Sequence, residues 1–138
     1  MAFGNLIRTS LFLLQIIFYS FAGINHFINP DVYWPLIPDY LSQWGSGINL
    51  IAGILELSLA LLLIPNHTRK MASLGLILLL ITFIPSHIHF ITSGLTAVGP
   101  LKVTTEMGWV RLVLIHPLLI WWAWSARSFT GNFFSKAA

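Results

Sequence analysis

Hydrophobic residues occur along this chain in four long runs, and the few polar residues inside the runs recur at helical spacing. The runs extend over about residues 6–27, 47–64, 71–91 and 109–124. A helix of about 20 apolar residues crosses a bilayer core of ~30 Å, and each run reaches or approaches that length. The pattern predicts an all-α fold, a single four-transmembrane-helix bundle over residues 1–138.

The second run contains Glu56, the one acidic residue within the four runs. A charged carboxylate facing lipid costs several kcal/mol, so we expect Glu56 to face protein. It shares a helical stripe with small and polar residues spaced four, three and four apart, namely Asn49, Gly53 and Ala60. The opposite side of this helix carries large apolar residues: Ile51, Ile54, Leu55 and Leu62.

The first run has a stripe that continues from end to end, with alternating spacings of four and three. Its members are Arg8, Phe12, Gln15, Tyr19, Ala22 and His26. We expect this face to point into the bundle. Gln15 and Tyr19 are candidate ligand-binding residues, although interhelical hydrogen bonding is the more common role of such residues in membrane helices.

The third and fourth runs add four more candidates, three imidazoles and one guanidinium. The third run has a stripe of small and polar residues that favours an interior position for His89: Gly75, Thr82, Ser86, His89 and Ser93. His87 lies two residues away, about 200° around a helix, so only one of the two histidines can face inward unless the helix breaks near Pro85. The fourth run supplies Arg111 and, just before Pro117, His116.

Two connecting segments differ in character. Residues 29–44 contain three prolines, which forbid a long regular helix, together with Tyr33, Trp34 and Tyr40. This composition predicts an interfacial segment that covers the outer end of the bundle, with Tyr33 as a candidate contact. Residues 92–108 are predicted to form an outer loop.

Composition supports a membrane location and excludes several functions. Hydrophobic residues make up 57% of the chain and charged residues only 8%, far from the quarter that is usual in soluble domains. Without cysteine, the chain has no disulfide and no thiol relay of its own. The net charge of +3 is divided among the ends of the runs, which does not indicate a nucleic-acid partner.

The basic residues predict the orientation of the chain. Most lie on one side of the four runs: Arg8, Arg69, Lys70, Arg127 and Lys136. Because positive loops stay inside, we expect both termini in the cytoplasm. The ionisable residues that we expect inside the bundle then all lie in its outer half, with Glu56 the deepest.

This convergence predicts a polar pocket open toward the outer surface. Such a pocket is suited to proton transfer or to the binding of a quinone or another carbonyl-bearing lipid. A metal or haem site has little support, because no histidine pair is spaced four apart on one helix. A third alternative is that the polar groups only bind one another and fix the packing of the helices.

The chain resembles the DoxX-like family of small four-helix bacterial membrane proteins, in the branch grouped with the methylamine-utilisation MauE-type proteins. The matching residues are Gly23 to Phe27, Pro30, Tyr33, Pro38, Gly53, Glu56, Ile64, Pro65, Thr68 to Lys70, Gly75, Phe83 to Pro85, Arg111 and Leu112. His87 stands where relatives have Asn after the proline, which favours His87 as the interior residue, against the stripe that favours His89.

The resemblance implies a membrane component associated with redox systems, with other membrane or periplasmic redox proteins as partners. We therefore expect a redox-associated accessory subunit that binds a quinone-like or small amphipathic ligand in the pocket. A structural or assembly subunit without a ligand and a small transporter are the alternatives. The sequence does not decide whether the protein is an enzyme. Because no nucleophile motif is present, it favours an isolated chain without catalytic activity.

Overall fold

The computed structural model describes residues 2–94 and 96–130, with side chains from residue 4 onward. Lys136, which contributes to the predicted orientation, lies outside the described residues. The described chain is mostly helical. Its α-helices are α1 Ala2–Ile28, α2 Gly45–Leu62, α3 Asn66–Thr82, α4 Ile84–Thr92, α5 Thr105–Val110 and α6 His116–Ser125.

Four helical stretches are long and apolar enough to cross a membrane, as predicted. In chain order they are Gly4–Ile28, Asp39–Leu62, Asn66–Thr92 and Thr105–Ser128. Each is longer than the hydrophobic run that predicted it, because polar residues at its ends continue the helix. Asn66 to Lys70, which lie between the second and third hydrophobic runs, form the first turn of α3.

The third and fourth stretches are not the uninterrupted helices that the sequence predicts. The third breaks at Phe83, between α3 and α4, where Pro85 has no N–H to donate. The fourth contains a π-helix, Arg111–Ile115, immediately before His116 and Pro117. Such π-helical turns are rare and are frequent at functional sites.

The two connecting segments are ordered. Three short 3₁₀ helices, Pro30–Val32, Trp34–Leu36 and Asp39–Trp44, form the segment between α1 and α2. The region predicted as an outer loop contains a small antiparallel hairpin, β1 Ala97–Val98 with β2 Leu101–Lys102, before α5 begins. Gly99 in its turn has a φ of +56°, a conformation that side chains disfavour.

Helices α1 and α2 cross with their backbones in close contact. A Cβ added at Gly23 would lie 2.7 Å from the backbone nitrogen of Leu57, and one added at Gly53 would lie 2.7 Å from the Cβ of His26. Small residues at a helix crossing permit this approach. The crossing sets His26 on α1 beside the buried stripe of α2.

The predicted stripes have different outcomes. On α2, the small and polar stripe is buried and the large apolar residues are exposed, which confirms the prediction. On α1, the stripe from Phe12 to His26 faces inward, whereas Arg8 at its start is exposed. The stripe predicted for the third run is not the buried face of α3, although its members Thr82 and Ser86 line the cavity described below. The buried residues of α3 are Arg69, Ala72, Ser73, Leu76, Leu79 and Leu80.

Candidate ligand-binding site

A cavity of about 480 Å³ lies between α1, α2 and α4, next to the 3₁₀ segment. Its volume falls in the range of roughly 300–1,000 Å³ that is usual for small-molecule sites. Most of the wall is apolar. Six of the residues singled out from the sequence contribute to the wall: Tyr19, His26, Tyr33, Glu56, His87 and Arg111.

The imidazole of His26 is held by the side chain of Asn49. The Asn49 Nδ2 donates to the backbone carbonyl of His26 over 2.9 Å, which fixes the orientation of the amide. The Asn49 oxygen therefore faces the His26 Nδ1, 2.7 Å away, and this nitrogen must carry the proton. In the neutral ring, Nε2 is left as an acceptor.

Glu56 lies on the other side of the same ring. Its Oε2 is 3.5 Å from the His26 Nε2, and the side chain is buried. The two atoms form no hydrogen bond at this distance, and because Nε2 of the neutral imidazole is an acceptor, such a bond requires a proton on the carboxyl or on the ring. The pair is therefore a site where a proton can be held or passed to a bound molecule.

Tyr33 closes the cavity at the end formed by the 3₁₀ segment. Its ring stacks on the ring of His26, with centroids 3.6 Å apart and planes 16° from parallel. The hydroxyl accepts a hydrogen bond from Asn25 Nδ2 over 2.8 Å and donates to the carbonyl of Ala22 over 3.5 Å. Burial raises the pKa of the Tyr33 phenol, which keeps the hydroxyl protonated.

The inward face of α3 continues into α4 and includes His87. Leu80, Phe83 and His87 line the cavity at spacings of three and four, and the ring of His87 lies edge-on to that of His116 with centroids 4.8 Å apart. His89 lies outside the cavity wall, so the interior position favoured by its stripe is wrong. Thr82 and Ser86 of that stripe do line the cavity, one position away from Phe83 and His87.

Arg111 enters the wall from the π-helix. Its guanidinium makes no direct hydrogen bond or ion pair among the described residues, and the groups on which its charge acts include Glu56 and Tyr19. A guanidinium offers five N–H donors and no acceptor. Arg111 is thus a charged donor in the cavity wall with bonding capacity left for a ligand.

Several buried polar atoms near Arg111 have no hydrogen-bond partner. In the cavity wall these are the Tyr19 hydroxyl, the Glu56 Oε2 and the His87 Nε2. Buried polar atoms are nearly always paired, so each of these calls for a ligand or a water molecule. With Arg111 added, the wall offers more donors than acceptors, which favours a ligand whose polar part carries oxygen acceptors.

Two predicted residues are buried nearby but are not part of the cavity wall. The Gln15 amide is completely buried, and neither of its polar atoms has a partner. The His116 Nε2 is 2.8 Å from the carbonyl of Leu80, so this nitrogen carries the proton and the buried Nδ1 is a free acceptor. These residues extend the polar region behind the cavity.

The sequence did not reveal that Asn49 holds His26 through hydrogen bonds or that Arg69 is buried. Asn49 was assigned to the buried stripe but not to the site, although its spacing of seven from Glu56 places both on one face. Arg69 was taken as a loop cation and is only 3% exposed. Within the described residues, no group of three His, Asp or Glu side chains could hold a metal ion.

The fold and the cavity together define a small helical protein with four stretches able to cross a membrane and a polar site between them. Residues 15–127 match the family described as Domain of unknown function (DUF8561), and the chain belongs to this family. No curated protein and no solved structure matches the chain.

Proposed function

We propose that this chain is an integral protein of the bacterial inner membrane that binds a lipid-soluble, amphipathic molecule in the cavity. A quinone-like ring fits best, because its carbonyl oxygens accept hydrogen bonds from donors such as Arg111 and Tyr19. The observation that carries the proposal is the set of unpartnered polar atoms around a cavity that is otherwise apolar.

The His26 and Glu56 pair supplies the chemistry that such a ligand needs. Reduction of a quinone consumes protons, and oxidation of a quinol releases them. Glu56, with a carboxyl oxygen directed at the unprotonated nitrogen of His26, can accept or return one of these protons. We propose that Glu56 is the proton acceptor or ligand anchor and that His26 and His87 are its hydrogen-bond partners.

The role of an accessory subunit rests on the resemblance to DoxX-like proteins, which we retain as a proposal. The same holds for the cytoplasmic termini and for partnership with membrane or periplasmic redox proteins. The positive residues at the ends of the helices support the orientation. The electrons would come from a partner protein, since the chain has no thiol of its own.

A purely structural subunit is the second candidate, and the hydrogen bonds between Asn49 and His26 favour it. They join α1 to α2 in the way that polar residues fix helix packing in membranes. This alternative explains Asn49 but not Tyr19, His87 and Arg111, whose polar groups remain unpaired in the same bundle.

Glu56→Gln separates the two candidates, because the amide keeps the volume of the carboxyl but cannot take up a proton. We expect a decyl-substituted benzoquinone to bind the purified wild-type protein in lipid nanodiscs and to bind the variant at least about tenfold more weakly, or about 1.4 kcal/mol. The melting temperature should change little. Native mass spectrometry and thermal unfolding provide the two readouts, with Ser58→Ala on the lipid-facing side of α2 as control.

Failure of the wild-type protein to bind the probe, together with a lower melting temperature for Glu56→Gln, would instead support the structural role.

A further inference from the structure

We infer that the ligand reaches the cavity from within the bilayer, through a lateral opening between α2 and α4, and that its apolar chain stays in this opening. The inference rests on the proposed binding function and adds the class of ligand. That class is an amphiphile with an oxygen-bearing head group and a single extended hydrocarbon chain.

The helix packing leaves a gap between α2 and α4. Helix α2 packs on α1 and α3, whereas α4 packs on α5, the π-helix and the 3₁₀ helix Trp34–Leu36. The break at Phe83 separates α3 from α4, and α4 therefore does not continue the contact between α3 and α2. Cavity-lining residues lie on both sides of this gap, at Ile51 and Leu55 on α2 and at Pro85 on α4.

Residues at the gap are exposed as well as cavity-lining, which marks an opening. Ile51 is 58% exposed and Leu55 42% exposed, and Thr82 and Pro85 are exposed too. All four lie on helical stretches long enough to cross a membrane, so their exposed sides face hydrocarbon. Tyr40, also exposed and cavity-lining, extends the rim to the end of the bundle that carries the 3₁₀ segment.

The 3₁₀ segment closes the route that the sequence predicted from the outer surface. Tyr33 is stacked on His26 and hydrogen-bonded to α1, and Pro38, within the segment, is buried. Leu36 and Ile37 add an apolar surface to the cavity wall at this end. A charged or strongly hydrated molecule would have to displace these contacts, whereas a lipid-soluble one only has to pass between two helices.

The polarity of the cavity orients such a molecule. The unpaired polar atoms of Tyr19, Glu56 and His87 lie at buried positions, and the exposed rim is formed largely by apolar side chains. A head group with oxygen acceptors finds hydrogen-bond partners only at the inner end of the cavity. The chain then lies along Ile51 and Leu55 and leaves the protein among the lipid acyl chains.

Substitution of Thr82 by Trp tests the opening, with Leu78→Trp as the matched control. Leu78 lies one turn earlier on the same face of α3 and is exposed but does not line the cavity. In nanodiscs we expect Thr82→Trp to slow association of the decyl-benzoquinone at least about tenfold and Leu78→Trp to leave the rate within about twofold. The same ring with methyl in place of decyl should bind the wild type at least about tenfold more weakly.

A nitroxide label gives a second readout that requires no bulky substitution. The chain has no cysteine, so Thr82→Cys and Leu78→Cys each provide a single attachment point. The decyl-benzoquinone should immobilise the label at Thr82 and not the label at Leu78 in the electron paramagnetic resonance spectrum.

Wild-type association rates in Thr82→Trp, or equal affinity for the methyl and decyl rings, would overturn the lateral route while leaving the binding site intact. An unchanged spectrum from the label at Thr82 upon binding would do the same. Absence of any binding to the wild-type protein would overturn the proposed function itself.

Discussion

Asn49 controls the state of the His26 imidazole through two hydrogen bonds. One bond orients the amide on the backbone carbonyl of His26, and the other holds the proton on Nδ1. The remaining nitrogen is thereby directed at Glu56 as an acceptor. A neutral amide thus determines how the only buried carboxyl of the described residues can exchange a proton.

Replacement of Asn49 by Leu should lower the free energy of unfolding by about 1–3 kcal/mol, the cost of leaving buried polar groups of His26 unpaired. Chemical unfolding in detergent, followed by tryptophan fluorescence, measures the change. Ser58→Ala, on the exposed side of the same helix, should have an effect within about 0.5 kcal/mol. Equal effects of the two substitutions would contradict the role assigned to Asn49.

Arg69 joins three parts of the chain at the opposite end of the bundle. Its guanidinium donates to the carbonyls of Leu63 and Ile64, just after α2, and to that of Phe129, all within 2.8 Å. It also lies against the stacked rings of Phe12 and Phe129. The planar guanidinium suits this fork of acceptors, and an ammonium does not.

Arg69→Lys should therefore be destabilising although it conserves charge, by at least about 3 kcal/mol, since charge-assisted hydrogen bonds contribute about 1.5–3 kcal/mol each. The neighbouring Lys70 is exposed, and Lys70→Ala serves as control. Thermal unfolding of the two purified variants provides the comparison. A melting temperature of Arg69→Lys equal to that of the wild type would refute the anchoring role.

At the scale of the helices, the contact between Gly23 and Gly53 sets the geometry of the site. The backbone oxygen of Gly53 would lie 2.9 Å from a Cβ at Gly23, too close for any side chain. Separation of α1 from α2 would move His26 away from Glu56 and Asn49. Two glycines without any chemistry of their own thus hold His26 beside Glu56.

Gly53→Ala should destabilise the protein by about 1–3 kcal/mol, the usual cost of overpacking, and should also weaken binding of the decyl-benzoquinone. Gly47 lies on the same helix with no atom within 4 Å of an added Cβ. Gly47→Ala should be neutral or slightly stabilising, because Ala favours helix over Gly. Similar unfolding curves for both variants would show that the helices can separate at no cost.

The two remaining site residues lie next to irregular turns that precede or contain a proline. His87 follows Pro85 and continues the cavity-lining face of Leu80 and Phe83. Arg111 begins the π-helix that ends just before Pro117.

For the whole molecule, the distribution of charge predicts its orientation in the membrane. Asn66 and Thr96 are exposed at opposite ends of the third stretch, and the chain has no cysteine to interfere with labelling. A membrane-impermeant maleimide should label Thr96→Cys in intact spheroplasts and Asn66→Cys only after permeabilisation. Labelling of Asn66→Cys from outside would reverse the orientation and the side of the membrane assigned to the 3₁₀ segment.

The sequence by itself determined the four apolar helices and the inward faces of the first two. Long hydrophobic runs and the stripe containing Glu56 are properties of composition and helical period, and these need no knowledge of neighbouring helices. The same reasoning identified six residues of the cavity wall, because a buried ionisable group must face protein wherever the helix packs.

Only the tertiary structure decided between His87 and His89, and only it showed the packing from which we infer the lateral gap, the hydrogen bonds that set the tautomer of His26 and the burial of Arg69. The third run offered two neighbouring helical faces, and only its packing against the other helices selected the face that contains His87. The gap and the hydrogen bonds of Arg69 depend on which helices meet and on where distant carbonyls lie. Those relations arise between elements, and a pattern along one element does not contain them.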